Sequence, residues 1–143
     1  MRRRLTLLRH GHADEHPDDF PRTLSDAGRA AAIAAGESLA RAGWLPERVL
    51  ASAAPRAVAT AELAARACGF SGSITQDRGL YLASDTRCLT ALRALPARAA
   101  SVWLVGHNPG LSRLASDLSG RARELAPGEY QILELELESW SDL

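Results

Sequence analysis

The chain has 143 residues, with 17 basic and 17 acidic side chains and no net formal charge. That length is enough for one cored domain without disulfide staples, and the charge balance gives no field over the whole molecule to gather nucleic acid or an anionic membrane. Every basic residue is arginine and none is lysine, which excludes lysine Schiff-base chemistry and a Walker-type nucleotide loop.

The opening "MRRRLTLL" is basic, but it lacks the long apolar core and small-residue cleavage site of a secretory signal. No later run reaches membrane-span length, so a cytoplasmic protein is expected. Leu5 to Leu8 reads as a first strand. It stops at Arg9, His10, Gly11 and His12, and a polar loop follows from Ala13 to Arg22. The next stretch, "SDAGRAAAIAAGESLARAG", is a helix with Ser25 as N-cap and Gly43 as stop. Glu47–Ser52 is a second strand. The helix after it has Pro55 in its first turn and Gly69 at its end. "SGSITQD" is a weak edge strand, and "DTRCLTALRALP" is a short helix ended by Pro96. Ser101–Gly106, "SVWLVG", is the clearest strand, and a helix begins near Pro109. "EYQILELELESW" alternates with period two, as a half-buried strand does.

Strands alternating with helices of this length predict a three-layer α/β sandwich, a single domain over residues 1–143. Its sheet is mostly parallel with helices on both faces, and the alternating C-terminal strand is an exposed edge. Cys68 and Cys88 have neither metal-ligand nor redox-pair spacing and read as reduced thiols. Trp44, Trp103 and Trp140 read as packing residues, His12 and His16 as solvent-exposed, and "ELELES" as one solvated face of the edge strand.

In open α/β sheets ligands bind beyond the carboxyl ends of the strands. Three strand ends here carry unusual residues: Arg9 and His10, then Ser52 with Arg56 one turn on, then His107 and Asn108. If these strands are neighbours, two arginines and two histidines converge on one crevice, reinforced by the helix N-termini near Pro55 and Pro109, with Asn108 as N-cap of the second. A planar guanidinium can grip two phosphate oxygens at once. A neutral imidazole can attack phosphorus and carry the phosphoryl group. Nothing in this pattern requires a metal or cofactor.

The pattern resembles the histidine phosphatase superfamily. The resemblance rests on "LLRHG" ending at Gly11, and on Ser52, Arg56 and Thr60 at four-residue intervals. "VGHNPG" after a late strand and "RTLSDAGRAAA" at the start of the first helix complete it, in order from residue 5 to about 112. It implies that His10 is the phosphorylated nucleophile, that Arg9, Arg56 and His107 hold the phosphoryl group, and that Arg22 is a further phosphate or substrate contact. Ser52 and Thr60 are expected to brace the loop. The compact length is most similar to the small bacterial phosphohistidine phosphatases.

Two departures stand out. Proline falls three residues after Ser52 rather than directly after it. No glutamate occupies the region of the family's general acid, "TQDRGLYLAS", where only Asp77 is acidic; Asp14, Glu15 and Asp85 are the other candidates. General acid catalysis contributes about 10²–10⁴-fold where an alkoxide must leave, and imidazole leaves far more readily. The expected activity is therefore a metal-independent phosphatase acting on phosphohistidine in a protein, as in signal transduction by phosphotransfer. The alternatives are a broad phosphatase for small phosphate esters and a non-catalytic phosphate- or phosphoprotein-binding module.

Overall fold

The computed structural model describes all 143 residues. Five strands form one sheet: β1 (Arg2–Arg9), β2 (Arg48–Ser52), β3 (Ile74–Asp77), β4 (Ser101–Gly106) and β5 (Tyr130–Glu136). Their order across the sheet is β3-β2-β4-β1-β5. All neighbours are parallel except β5, which runs antiparallel to β1 as an edge. The helices are α1 (Asp26–Arg41), α2 (Pro55–Cys68), α3 (Asp85–Arg93) and α4 (Gly110–Ser119). The predicted three-layer α/β sandwich is therefore observed, and β2, β4 and β1 are consecutive in the sheet.

Strand alternation divides the core in two. Leu5, Leu7, Val102 and Leu104 pack with Cys88, Leu92, Leu111, Leu114 and Trp140 on the face covered by α3 and α4. Leu8, Val49, Ala51, Trp103 and Val105 pack on the other face with Ala35, Leu39, Ala57, Ala61 and Ala64 of α1 and α2. Small residues let these two helices approach closely, and a Cβ on Gly36 would strike the Ala64 carbonyl. Cys88 is buried in the first cluster, where burial pushes its thiol up to about 11. Cys68 packs against the second cluster, so the sheet separates the two sulfurs.

The first strand starts three residues earlier than the apolar run suggests, because its arginines find partners. Arg2 and Arg4 face Glu136 and Glu134 across the β1–β5 pair, and Arg4 Nη2 lies 3.0 Å from Glu134. The "ELELES" face is thus partly paired with the basic start rather than simply solvated. Arg3 points to the opposite face and is completely buried. It donates to the carbonyls of Ala99, Leu137 and Glu138 at 2.8, 3.0 and 2.5 Å. Trp140 donates to the same Ala99 carbonyl at 2.8 Å. Together they fasten the C-terminal segment to the sheet, at the end opposite His10.

Candidate active site

The carboxyl ends of β1, β2 and β4 open into a cavity of about 340 Å³. Arg9, His10, Arg22, Arg56 and His107 all line it, so the structure brings together every residue the sequence singled out for phosphate chemistry. A second cavity of about 360 Å³ lies between β3 and α3. Apolar Leu50, Leu80, Ala91 and Leu95 line that one, and no histidine does.

Local geometry explains the "RHG" sequence. Gly11 is needed because α1 starts against it: a Cβ there would lie 2.8 Å from the Gly28 carbonyl oxygen. Thr60 Oγ1 accepts the Gly11 N–H at 3.0 Å and donates to the Arg56 carbonyl at 2.7 Å, tying the end of β1 to the first turn of α2. Ser25 caps α1 by accepting from the Gly28 N–H. Its hydroxyl also lies 2.8 Å from Nδ1 of His12, an exposed residue at the cavity rim. His16 is exposed and lies outside the cavity lining.

The two central histidines have fixed tautomers. His10 Nδ1 lies 2.8 Å from the Gly11 carbonyl, which can only accept. The proton is therefore on Nδ1, and Nε2 keeps its lone pair. Arg56 Nη2, which can only donate, lies 3.5 Å from His107 Nδ1. His107 Nε2–H then donates to Ser52 Oγ at 2.7 Å. Ser52 also accepts from the Ala54 N–H at 3.2 Å, so it braces the loop and orients His107 as well. The imidazole centroids are 5.0 Å apart.

Burial, then the surrounding guanidinium groups, pushes His10 down to about 4. His107 is pushed down to about 3 by burial, by His10 and by Arg56. Both rings are thus neutral near pH 7. Buried Arg9 Nε and Arg56 Nε have no hydrogen-bond partner.

One acid, Asp19, is among the eleven lining residues. Its Oδ2 accepts from Arg56 Nη2 at 3.0 Å and from the Tyr81 hydroxyl. Its main-chain carbonyl takes Arg56 Nη1 at 2.9 Å, and Oδ1 lies 3.4 Å from Arg22 Nη1. The Tyr81 hydrogen bond, followed by Arg56, holds this carboxyl down at about 2. Tyr81 also sets its ring edge-on to His107, with centroids 5.4 Å apart, and to Phe20 at 4.9 Å.

The family profile of the histidine phosphatase superfamily (branch 1) matches residues 5–82. The chain belongs to that superfamily. It is 30% identical to an uncharacterised chloroplastic protein of Arabidopsis thaliana, over 98% of this chain and 70% of the plant one. Among solved structures it is similar to a proposed phosphohistidine phosphatase SixA from Nakamurella multipartitia, at 26% identity and TM-score 0.84, covering 99% of this chain and 89% of the other. A proposed phosphohistidine phosphatase SixA from Agrobacterium tumefaciens gives 28% identity and TM-score 0.83, covering 92% and 91%. The fold is shared at 20% identity, with TM-score 0.79, by a tungstate complex of the protein histidine phosphatase SixA, covering 97% and 98%.

Within this superfamily member, the acids considered from sequence sit away from the cavity lining. Asp77 accepts from the Gly79 N–H at 2.7 Å and pairs with Arg87 at 3.2 Å. Asp85 lies in the first turn of α3. Asp14 and Glu15 are exposed loop residues. Asp19 was hidden because its position depends on two loops meeting. The available signal was Tyr81, a lone hydroxyl-bearing aromatic in "GLYLAS", a stretch read only for its carboxylates.

The helix N-termini also contribute less than expected. In α4 the Leu111 N–H donates to the His107 carbonyl and the Ser112 N–H to Asn108 Oδ1, and Gly110 packs against the Ala83 carbonyl. Asn108 therefore satisfies that first turn, although Pro109 occupies the N-cap position. The cavity's donors are mainly guanidinium groups. Arg22 directs Nε and Nη2 to the carbonyls of Asp14 and Ala13, so it clamps the polar loop while lining the cavity.

Proposed function

We propose that this protein is a phosphatase working through a phosphorylated His10, and that its substrate is phosphohistidine carried on a protein. The observation that carries the reading is the state of His10. Its Nδ1–H is fixed on the Gly11 carbonyl, its Nε2 lone pair is free, and it is neutral amid Arg9, Arg56 and His107. A neutral, oriented imidazole is a nucleophile, and the cations around it neutralise charge on the transferring phosphoryl oxygens. In this reading Arg9 and Arg56 grip the phosphoryl group, and His107, oriented by Ser52, donates to it after taking a proton from solvent in the field of the bound dianion. Arg22 holds the loop and adds positive charge.

The preference for phosphohistidine has two supports. Two solved structures similar to this chain in both sequence and fold carry the name of proposed phosphohistidine phosphatases. The only carboxyl in the cavity is held ionised, so the resting site offers no carboxylic acid to protonate a departing alkoxide.

The test compares wild type with His10→Ala on a histidine-phosphorylated protein domain and on p-nitrophenyl phosphate. The reading expects the phosphohistidine protein to be the faster substrate and His10→Ala to abolish both reactions. A faster ester reaction that still depends on His10 would establish an ester phosphatase instead. Phosphate binding with no turnover of either substrate would establish a binding module.

A further inference from the structure

We propose that Asp19 reads the leaving group: its carboxylate accepts the N–H of the protonated imidazole ring of phosphohistidine and makes this site selective for P–N over P–O bonds. The inference rests on the phosphatase reading above and gives it a chemical basis for substrate choice.

A fixed anion beside a phosphate-binding site is a liability for an ester phosphatase. It repels both the phosphate dianion and the alkoxide that must leave. Phosphohistidine differs, because its P–N bond breaks readily when the other ring nitrogen is protonated and the ring departs neutral. Such a substrate presents a dianionic phosphoryl group joined to a cationic ring. The arginines and histidines match the first part. Asp19, the one acid of the lining, matches the second.

Its attachments suit the task. Oδ2 and the main-chain carbonyl are anchored by Arg56 and Tyr81, whereas Oδ1 has only the 3.4 Å contact with Arg22 and remains open to a further donor. Both Nη atoms of Arg56 hold Asp19, and its buried Nε has no partner. The strong ion-pair and hydroxyl contacts keep the carboxylate ionised, as its role requires.

The step balances without moving a proton. The His10 Nε2 lone pair forms a bond to phosphorus. The substrate P–N bond breaks with its electron pair staying on the ring, which leaves as neutral imidazole still carrying the N–H that Asp19 accepts. The attacking and leaving rings are chemically equivalent across this exchange. The Gly11 carbonyl holds the distal N–H of His10 at 2.8 Å, and Asp19 holds that of the substrate. Water then attacks phosphorus, the Nε2–P pair returns to His10, and dihydrogen phosphate departs.

The experiment measures kcat/KM for phosphoimidazole and p-nitrophenyl phosphate in wild type, Asp19→Asn, Asp19→Glu and Tyr81→Phe. Asp19→Asn is expected to lower the phosphoimidazole reaction by about 10–100-fold, the scale of one charge-assisted hydrogen bond, and to raise the ester reaction. Asp19→Glu retains the charge and the preference for phosphoimidazole. Tyr81→Phe loosens the anchor and shifts the ratio in the same direction as Asp19→Asn, by less. An unchanged ratio in Asp19→Asn, with both reactions falling equally or neither changing, would overturn the proposal. His10→Ala run alongside separates the two ideas: if it retains either reaction, the phosphatase reading fails instead.

Discussion

A buried histidine among guanidinium groups is useful as a nucleophile only if its proton is placed and its charge is off. Both conditions hold for His10, and they fix a pH profile. With the imidazole pushed down to about 4, kcat/KM for p-nitrophenyl phosphate, corrected for the substrate's own ionisation, is expected to stay level from pH 7 down towards 4. A limb near 6.5 would mean that burial and the guanidinium field do not act on His10 as described. Ser52 deserves a separate test because it accepts the only N–H of buried His107. Ser52→Ala leaves that donor unsatisfied, and about a tenfold loss of kcat/KM in steady-state kinetics is expected. At this scale the sequence displayed Arg9, His10, Arg56 and His107 because each ends or follows a strand or opens a helix. Asp19 has no local signature, and Tyr81, the one signal for it, gains its meaning only from contact across 62 positions of chain.

The elements hold the site through close backbone approaches rather than large side chains. A Cβ on Gly28 would strike the His12 carbonyl, so Gly28→Ala forces α1 away from the loop after β1. Overpacking of this kind costs about 1–3 kcal/mol. A fall in chemical-denaturation stability of that size, accompanied by loss of turnover, is the expected result. Wild-type turnover in Gly28→Ala would show that this contact does not position the cavity. Helix caps and stops were readable because they follow from single residues: Ser25 caps α1, and Gly69 ends α2 at φ 103°. The start of α4 near Pro109 was legible too, with Asn108 taking the Ser112 N–H although Pro109 holds the N-cap position, but its amides do not open into the cavity. Its first-turn amides are taken by Asn108 and His107, and Gly110 lies against a loop that sequence could not place there.

Over the whole molecule, alternation of strands and helices revealed the fold class, while strand order had to come from the structure. The β2-β4-β1 adjacency turns three separate motifs into one cavity. The far end of the sheet carries a different charge arrangement, with Arg3 buried under the C-terminal segment. Arg3→Met is expected to lower stability by about 1.5–3 kcal/mol, the scale of hydrogen bonds to a charged group, while turnover remains. The site histidines impose a second global signature. Their folded values, about 4 and 3, lie below the ordinary 6.5, so the unfolded chain binds protons more readily in that window. Their contribution is therefore intact above about pH 6.5 and lost as pH falls through about 4 and then 3. Urea unfolding at a series of pH values is expected to show this decline, flattened in His10→Gln and His107→Gln.

The central claim is that the phosphoryl group passes through His10. Rapid-quench mass spectrometry under alkaline conditions, which preserve phosphohistidine, tests it most directly after mixing enzyme with excess phosphoimidazole. The account predicts a transient acid-labile gain of one phosphoryl group on the peptide carrying His10, absent in His10→Ala. Turnover in wild type with no such adduct at any time, or an adduct on another residue, would contradict it.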